Sequence, residues 1–276
     1  MGVYRHEFEC MKTAVELPQW LDNLIFEQLG AKYCRSNSDM TVIDWNKSNV
    51  LNYLGTYFPR SYAESYCIFS EFFQSQPETF VDKEVLTVFD FGCGTGGEII
   101  GLLNAISENL RNVKRVNLVA MDGNYHALRL FESILIEYSN RMNLKVKSRI
   151  VPLTIDDFYD LTMLDRILEE KFDVFMSFKA ICEFVSKERF EEKNAYAHIM
   201  NTFIPKIATN GVMLFVDVST YNNVSQEWLP KMMDAGIAQA GCKSFSRNEG
   251  FNQKFLVIHS RKQNDISKVA WRILKR

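Results

Sequence analysis

The sequence predicts an α/β protein built on a doubly wound, mainly parallel sheet, and three observations lead there. From Val85 onward, short apolar runs alternate with helical stretches, the alternation that crossover connections require. The first run, Val85-Leu86-Thr87-Val88-Phe89, passes into a glycine-rich string, Phe89-Asp90-Phe91-Gly92-Cys93-Gly94-Thr95-Gly96-Gly97-Glu98, that opens a helix. Before residue 85 the periodicity is helical, so a helical cap over residues 1–84 precedes a sheet domain over residues 85–276.

In the cap, Trp20, Leu21, Leu24, Ile25 and Leu29 share one helical face, and Gly30 follows where a C-terminal glycine belongs. A second amphipathic stretch runs from Val50 to Phe58 and meets Pro59, and a third runs from Ser61 to Phe73. The expected strands of the sheet domain are Val85–Phe91, Val116–Met121, Val146–Leu153, Phe172–Phe178 and Val212–Val218. A last pair, near Lys243–Ser246 and Lys254–His259, is joined by the turn-like Arg247-Asn248-Glu249-Gly250. Helices are expected near Gly97–Leu110, Tyr125–Arg141, Phe190–Ile207 and Ser225–Ala240.

Composition narrows the functional classes. Of the 276 residues 47% are hydrophobic and 24% charged, with a net charge of −2, the profile of a globular protein with a sizeable core. The six cysteines, at 10, 34, 67, 93, 182 and 242, form no CxxC pair and have no histidines at zinc-ligand spacing, so reduced thiols, a cytoplasmic setting and no metal site are expected. The start, MGVYRHEFEC, lacks a charged segment followed by an apolar one, and no apolar run reaches membrane-spanning length, so no membrane partner is expected. Residues 1–84 carry seven Lys/Arg against twelve Asp/Glu, a poor surface for phosphates. The end, Lys268-Val269-Ala270-Trp271-Arg272-Ile273-Leu274-Lys275-Arg276, is basic and reads as a solvated terminus.

The glycine string satisfies both GxGxxG (Gly92, Gly94, Gly97) and GxGxG (Gly92, Gly94, Gly96), so the glycines alone do not choose a ligand. Asp90 separates the readings. A carboxylate two residues before the first glycine repels a pyrophosphate and suits a ligand with an ammonium group. The second strand ends in Met121-Asp122-Gly123-Asn124, where Asp122 either accepts from two ribose hydroxyls or caps the next helix. The third leads into Leu153-Thr154-Ile155-Asp156-Asp157-Phe158, which reads equally as an adenine site or as a helix cap with acids favouring the dipole.

FDFGCGTGGE, Asp122 after the second strand, Asp156-Asp157 after the third and the strand FDVFMSF together resemble class I S-adenosylmethionine-dependent methyltransferases over about residues 85–260. The resemblance implies a Rossmann-like methyltransferase fold with a seven-stranded sheet whose last strand is antiparallel, and S-adenosyl-L-methionine as cofactor. It further implies that Gly92, Cys93, Gly94 and Gly96 hold the methionine part, with Asp90 near its ammonium. Asp122, beside Gly123, would bind the ribose; Asp157 or Asp156 would read the adenine with Phe158 beside the ring; and Ser177 would border the reacting end. The acceptor would lie past the fourth strand, at Ser177-Phe178-Lys179 and Ala180-Ile181-Cys182-Glu183-Phe184. No Asn-Pro-Pro-aromatic motif and no Pro-Cys nucleophile occurs there, and Cys182 reads as a packing thiol.

Methyl transfer from a sulfonium needs alignment and, for some acceptors, a base, and Glu183 and Lys179 are the nearest candidates. In the cap, Arg60 offers a planar fork that suits the cofactor's carboxylate, unless it is a surface charge beside the packed Tyr62 and Tyr66. That segment also faintly resembles one in methyltransferase-like proteins of the small ribosomal subunit. The expectation is methyl transfer to an oxygen or nitrogen of a small molecule. RNA methylation, through the basic tail, and a non-catalytic cofactor-binding assembly protein are the alternatives.

Overall fold

Phe172-Asp173-Val174-Phe175-Met176-Ser177-Phe178 is buried at every position, which only a strand covered on both faces and both edges requires. In the computed structural model, which describes residues 14–34, 47–168, 170–184, 194–219, 221–222, 227–242 and 245–276, this strand lies in the middle of an eight-stranded sheet. The elements run β1 (Ala14–Glu16), α1 (Gln19–Asn23), α2 (Lys47–Ser75), β2 (Val85–Phe91), α3 (Gly97–Asn109), β3 (Arg115–Asp122) and α4 (Tyr125–Arg141). They continue with β4 (Lys145–Pro152), α5 (Met163–Ile167), β5 (Phe172–Phe178), α6 (Ile181–Phe184), α7 (Ala195–Phe203), β6 (Ile207–Val218), α8 (Leu229–Gln239), β7 (Ser246–His259) and β8 (Lys262–Lys275). The side chains of Lys47, Ser48, Glu183 and Phe184 lie outside the described residues.

The spatial order is β1-β7-β8-β6-β5-β2-β3-β4. Every pairing from β6 to β4 is parallel, and β8 runs antiparallel to both β6 and β7. This is a doubly wound, Rossmann-like sheet, as the sequence predicts, with one antiparallel strand inserted beside β6. The eighth strand, beyond the seven expected, is β1, which pairs in parallel with β7 through Val15 and Val257. One apolar layer joins α2, α3 and α4 to the sheet through Phe58, Phe69, Ile99, Leu103 and Phe131, and the other joins α7 and α8 through Ile199, Phe203, Met232 and Met233.

Three sequence expectations are corrected. Pro59 does not divide two helices, because α2 runs unbroken from Lys47 to Ser75 with the proline inside it. Packing against α3 outweighs the missing amide. The turn-like Arg247–Gly250 lies within β7, and the hairpin instead reverses after His259, where Lys262 pairs with it. Gly250 is there because a β-bulge between Val269 and Trp271 brings the Trp271 indole 2.2 Å from where a Cβ would stand. Finally, residues 268–275 are no solvated tail. They form most of β8, with Val269, Ala270, Trp271, Ile273 and Leu274 buried and Arg272 paired with Asp234 at 2.7 Å.

The α2–α3 contact is close enough to exclude side chains. A Cβ on Gly97 would lie 2.5 Å from the Phe58 carbonyl oxygen, and one on Gly101 would lie 2.4 Å from that of Tyr62. The Ser65 hydroxyl donates to the Glu98 carbonyl at 2.6 Å, and the Asn104 amide donates to the Tyr62 hydroxyl at 2.8 Å. Helix propensity alone makes Gly to Ala in a helix interior favourable by about 1 kcal/mol. Gly101→Ala is expected to reverse that sign and destabilise by about 1–3 kcal/mol, because the new methyl meets backbone that cannot swing aside. A urea-unfolding midpoint equal to or above that of the wild type would refute the contact.

Candidate functional site

The strands β2 and β5 are neighbours, yet α3 leaves β2 toward one face of the sheet and α7 follows β5 on the other. Their parting opens a crevice at the carboxyl ends of the two strands, the place where open α/β sheets bind ligands. The glycine loop forms one wall. Gly92, Gly94 and Gly96 have φ of 80°, 49° and 78°, left-handed values that side chains resist.

The loop is pinned from β3. The Gly92 and Cys93 amides both donate to the Met121 carbonyl at 2.9 Å. Asp122 accepts from the Gly94 amide on Oδ2 and from the Asn124 amide on Oδ1, both at 2.7 Å. Each of its oxygens keeps a second lone pair. Part of the glycine content serves the protein itself: a Cβ on Gly96 would lie 2.0 Å from the Phe131 ring, and Gly97 abuts α2. Gly94 is covered by Tyr53 of α2, whose hydroxyl would lie 3.3 Å from a Cβ there.

What sets this crevice apart is its charge. Asp90 is fully buried, and among the described residues no amide, hydroxyl or cationic group donates to either of its oxygens. Its polar neighbours are acids, Glu98 first and then Asp122, and with Glu98 it can share only a proton. Burial, reinforced by those two acids, holds the Asp90 carboxyl well above the usual range. Burial also pushes Glu98 up to about 8, against the pull of its own amide and of the Lys179 ammonium, while Glu64 and Asp122 push further. Asp122 is raised by burial despite its two backbone donors. Among the described residues one cation answers this group: Lys179, placed by a left-handed φ of 55°, bonds Oε2 of the buried Glu64 at 2.7 Å. The other Glu64 oxygen has no partner.

Of the residues singled out in the sequence, the structure gathers Asp90, Gly92, Cys93, Gly94, Gly96, Asp122 and Gly123 at one end of β2 and β3. Ser177, the penultimate residue of β5, has its hydroxyl buried and unpartnered. Asp156 and Asp157 are exposed, and Asp157 accepts from the Tyr159 amide at 3.0 Å in a local turn. Phe158 is buried edge-on against Phe91, 6.3 Å between centroids, as part of the core. Arg60 is committed elsewhere: Nη2 meets Oδ1 of the buried Asp265 at 2.8 Å, and Nε lies 3.0 Å from both oxygens. Cys182 is half-buried, with its thiol 3.5 Å from the Lys179 carbonyl. Glu183 belongs to α6, with its side chain outside the described residues. Among the described residues no three His, Cys, Asp or Glu side chains are arranged to hold a metal ion, and no helix is long and apolar enough to cross a membrane.

Glu98, Glu64 and Tyr53 were missed. Glu98 closes the quoted glycine string but reads as an acid favouring a helix start. Glu64 stands four residues after Arg60 and therefore on the same helical face, the one available signal.

No protein-family model and no curated protein sequence matches the chain. Solved structures similar to it include the DszA carbon methyltransferase, at 13% identity and TM-score 0.46, with 82% of this chain and 56% of that one covered. The chain thus spans little more than half the length of that protein. An O-methyltransferase from Bacillus cereus in complex with SAH matches at 14% identity and TM-score 0.45, covering 85% and 93%. An O-methyltransferase family protein from Burkholderia thailandensis matches at 12% and 0.43, covering 83% and 62%.

The acid cluster makes a prediction for the ligand-free protein. A carboxyl whose pKa is raised in the folded state binds more protons than in the unfolded chain, so stability falls as pH rises from the ordinary carboxylate range, about 4–5, through the folded value. For Glu98 that window closes near pH 8. Denaturation midpoints are expected to fall between pH 5.5 and 8.5, and Glu98→Gln to flatten the slope. A slope unchanged in the variant would mean that this carboxyl holds no proton near neutrality.

Proposed function

We propose that the protein is an S-adenosyl-L-methionine-dependent methyltransferase acting on an oxygen or nitrogen of a small-molecule acceptor. The observation that carries this reading is Asp90, a buried carboxylate with no donor, beside a glycine loop at the sheet's switch point. A buried acid left unpaired costs stability, and a cationic ligand removes that cost. A dinucleotide would bring a pyrophosphate into a group of four acids, Glu64, Asp90, Glu98 and Asp122, where repulsion opposes it.

The chain's residues fit the cofactor part by part. Asp90 accepts from the ammonium of the amino-acid end. The free lone pairs of Asp122 accept from the ribose hydroxyls while its other bonds hold the Gly94 and Asn124 amides in place. Asp156 and Asp157, exposed beyond β4, are proposed for the adenine amino group. Tyr53 overhangs the loop and excludes water from it. Bound there, the cofactor would supply a methyl group already activated by its sulfonium, so the protein's task is alignment of the acceptor past Ser177.

A small acceptor is favoured over RNA because the basic end of the chain is spent on structure. Arg272 is buried against Asp234, and Lys275 reaches Glu78 at 3.0 Å and the Thr79 hydroxyl at 2.8 Å. Arg276 donates to the Ile204 and Ile207 carbonyls. Few of these charges remain for phosphates, whose neutralisation dominates nucleic-acid affinity.

Isothermal titration tests the reading. S-adenosylmethionine and S-adenosylhomocysteine are expected to bind and NAD to give no heat, with Asp90→Asn weakening both nucleosides by at least about tenfold, the loss of one charge-assisted hydrogen bond. Labelled methyl appearing in a small-molecule fraction of cell extract would establish transfer, and binding without any labelled product would leave a cofactor-binding protein. No heat with either nucleoside would end the proposal.

A further inference from the structure

The lysine that answers the acid cluster does so from an unusual place. Lys179 is the first residue after β5, in the connection that leads toward α7, whereas Glu64 belongs to α2, which packs on α3 across the glycine loop. Their ion pair therefore spans the crevice. Lys179 is anchored for this by its own backbone: a left-handed φ of 55°, and an amide that donates to the Val216 carbonyl at 2.7 Å. Its side chain is 13% exposed and that of Glu64 is not exposed at all. A lysine stem that crosses from one wall to a fully buried acid on the other fills space in which a ligand would lie.

The count of oxygens defines what is missing. Both oxygens of Asp90 and one of Glu64 are buried with no amide, hydroxyl or cationic donor, and Glu98 interacts with both acids and with Lys179. Those orphaned oxygens suit one compact group with several N–H donors, which is the description of a primary ammonium. Resting on the proposed cofactor reading, we infer that Glu64 on α2 and Asp90 on β2 together form the seat of the ligand's ammonium, and that in the empty protein the Lys179 ammonium stands in for it. Binding then exchanges one ammonium for another. Lys179 leaves Glu64 for solvent, and the protein avoids carrying its buried acids uncompensated in either state. Glu64 is a positioning residue for the amino-acid end, and Lys179 is a competitor that makes the empty site tolerable.

The charged and titratable groups facing Glu64 and Lys179 are Glu98 from α3, Asp90 from β2 and Asp122 from β3, with the buried Cys93 thiol of the loop near these acids. All are acids, so among these charged groups a ligand carboxylate entering in place of the ammonium would find only Lys179 as a partner. That defines the opposing outcome, in which Lys179 holds the carboxylate.

The test compares two probes by titration at pH 8.5, S-adenosylhomocysteine and 5′-methylthioadenosine, which lacks the amino-acid end. Glu64→Gln is expected to weaken S-adenosylhomocysteine by about tenfold and Lys179→Met to tighten it several-fold, with 5′-methylthioadenosine unchanged in both. Weaker binding in Lys179→Met, or no change in Glu64→Gln, overturns the exchange. Should Lys179→Met not fold, the wild type answers through its lysine 15Nζ resonances, assigned with Lys179→Arg. The Lys179 signal is expected to persist in the empty protein and with 5′-methylthioadenosine and to be lost with S-adenosylhomocysteine. A signal unmoved by S-adenosylhomocysteine refutes the inference. Failure of the wild type to bind either probe overturns the cofactor reading as well, whereas binding with an unmoved lysine overturns the exchange alone.

Discussion

Four carboxyl groups and one ammonium share the interior of a crevice at the centre of the sheet, and the rest of the site is organised around that imbalance. Coulomb repulsion between acids a few ångströms apart, at the weak screening of a protein interior, is worth several kcal/mol if all are ionised. The folded chain meets it in two ways: burial holds the pKa values of Asp90 and Glu98 above the usual carboxyl range, and Lys179 is drawn across to Glu64. Both responses are reversible. A protein selected only for stability would place apolar side chains there instead.

Holding those acids at fixed positions falls to the α2–α3 interface. Gly97 and Gly101 allow the two backbones to touch, and Ser65 bonds the carbonyl of Glu98 itself. The same contact that fixes Glu98 therefore fixes Glu64, one residue before Ser65, and carries Tyr53 over the loop. Residues far from β2 in the sequence thus come to stand beside its glycine loop. The continuity of α2 through Pro59 matters for this reason, because Tyr53 lies before the proline and Glu64 after it on one rigid rod.

The framework was legible in the sequence because its signals are local. The apolar runs that became β2, β3, β5 and β6, the period of α4 and the glycine string each announce themselves within about ten residues. What depends on distant contacts was not. Ser246–His259 reads as two pieces because Arg247–Gly250 has turn composition, and only the crossing of Trp271 explains Gly250. Residues 268–276 look like a basic tail until β6 and β7 are seen to lie on either side of them. In the site, Asp90 and Asp122 could be named because they flank the glycine string at known strand ends. Glu64 could not, since its spacing from Arg60 shows only a shared helical face and not what that face meets.

A second buried acid in the same molecule shows that the isolation of Asp90 is not a general habit of this fold. Asp265 is as deeply buried, yet Arg60 grips it with Nε and Nη2, the Tyr33 hydroxyl donates at 3.1 Å and His259 lies 3.5 Å away. Although burial alone would raise it, those partners bring its carboxyl down to about 2. Asp217, also buried, accepts from the Tyr196 hydroxyl at 2.8 Å and from the Val218 amide at 2.9 Å. The chain therefore supplies donors where a buried acid is structural, and it uses the Arg60 guanidinium for that purpose one turn before Glu64 on the same helix. At Asp90 it supplies none, although arginine, tyrosine and backbone amides all stand within a few residues of the crevice. An acid without such donors beside a left-handed glycine loop, in a molecule that surrounds Asp265 and Asp217 with them, is what singles out this end of the sheet.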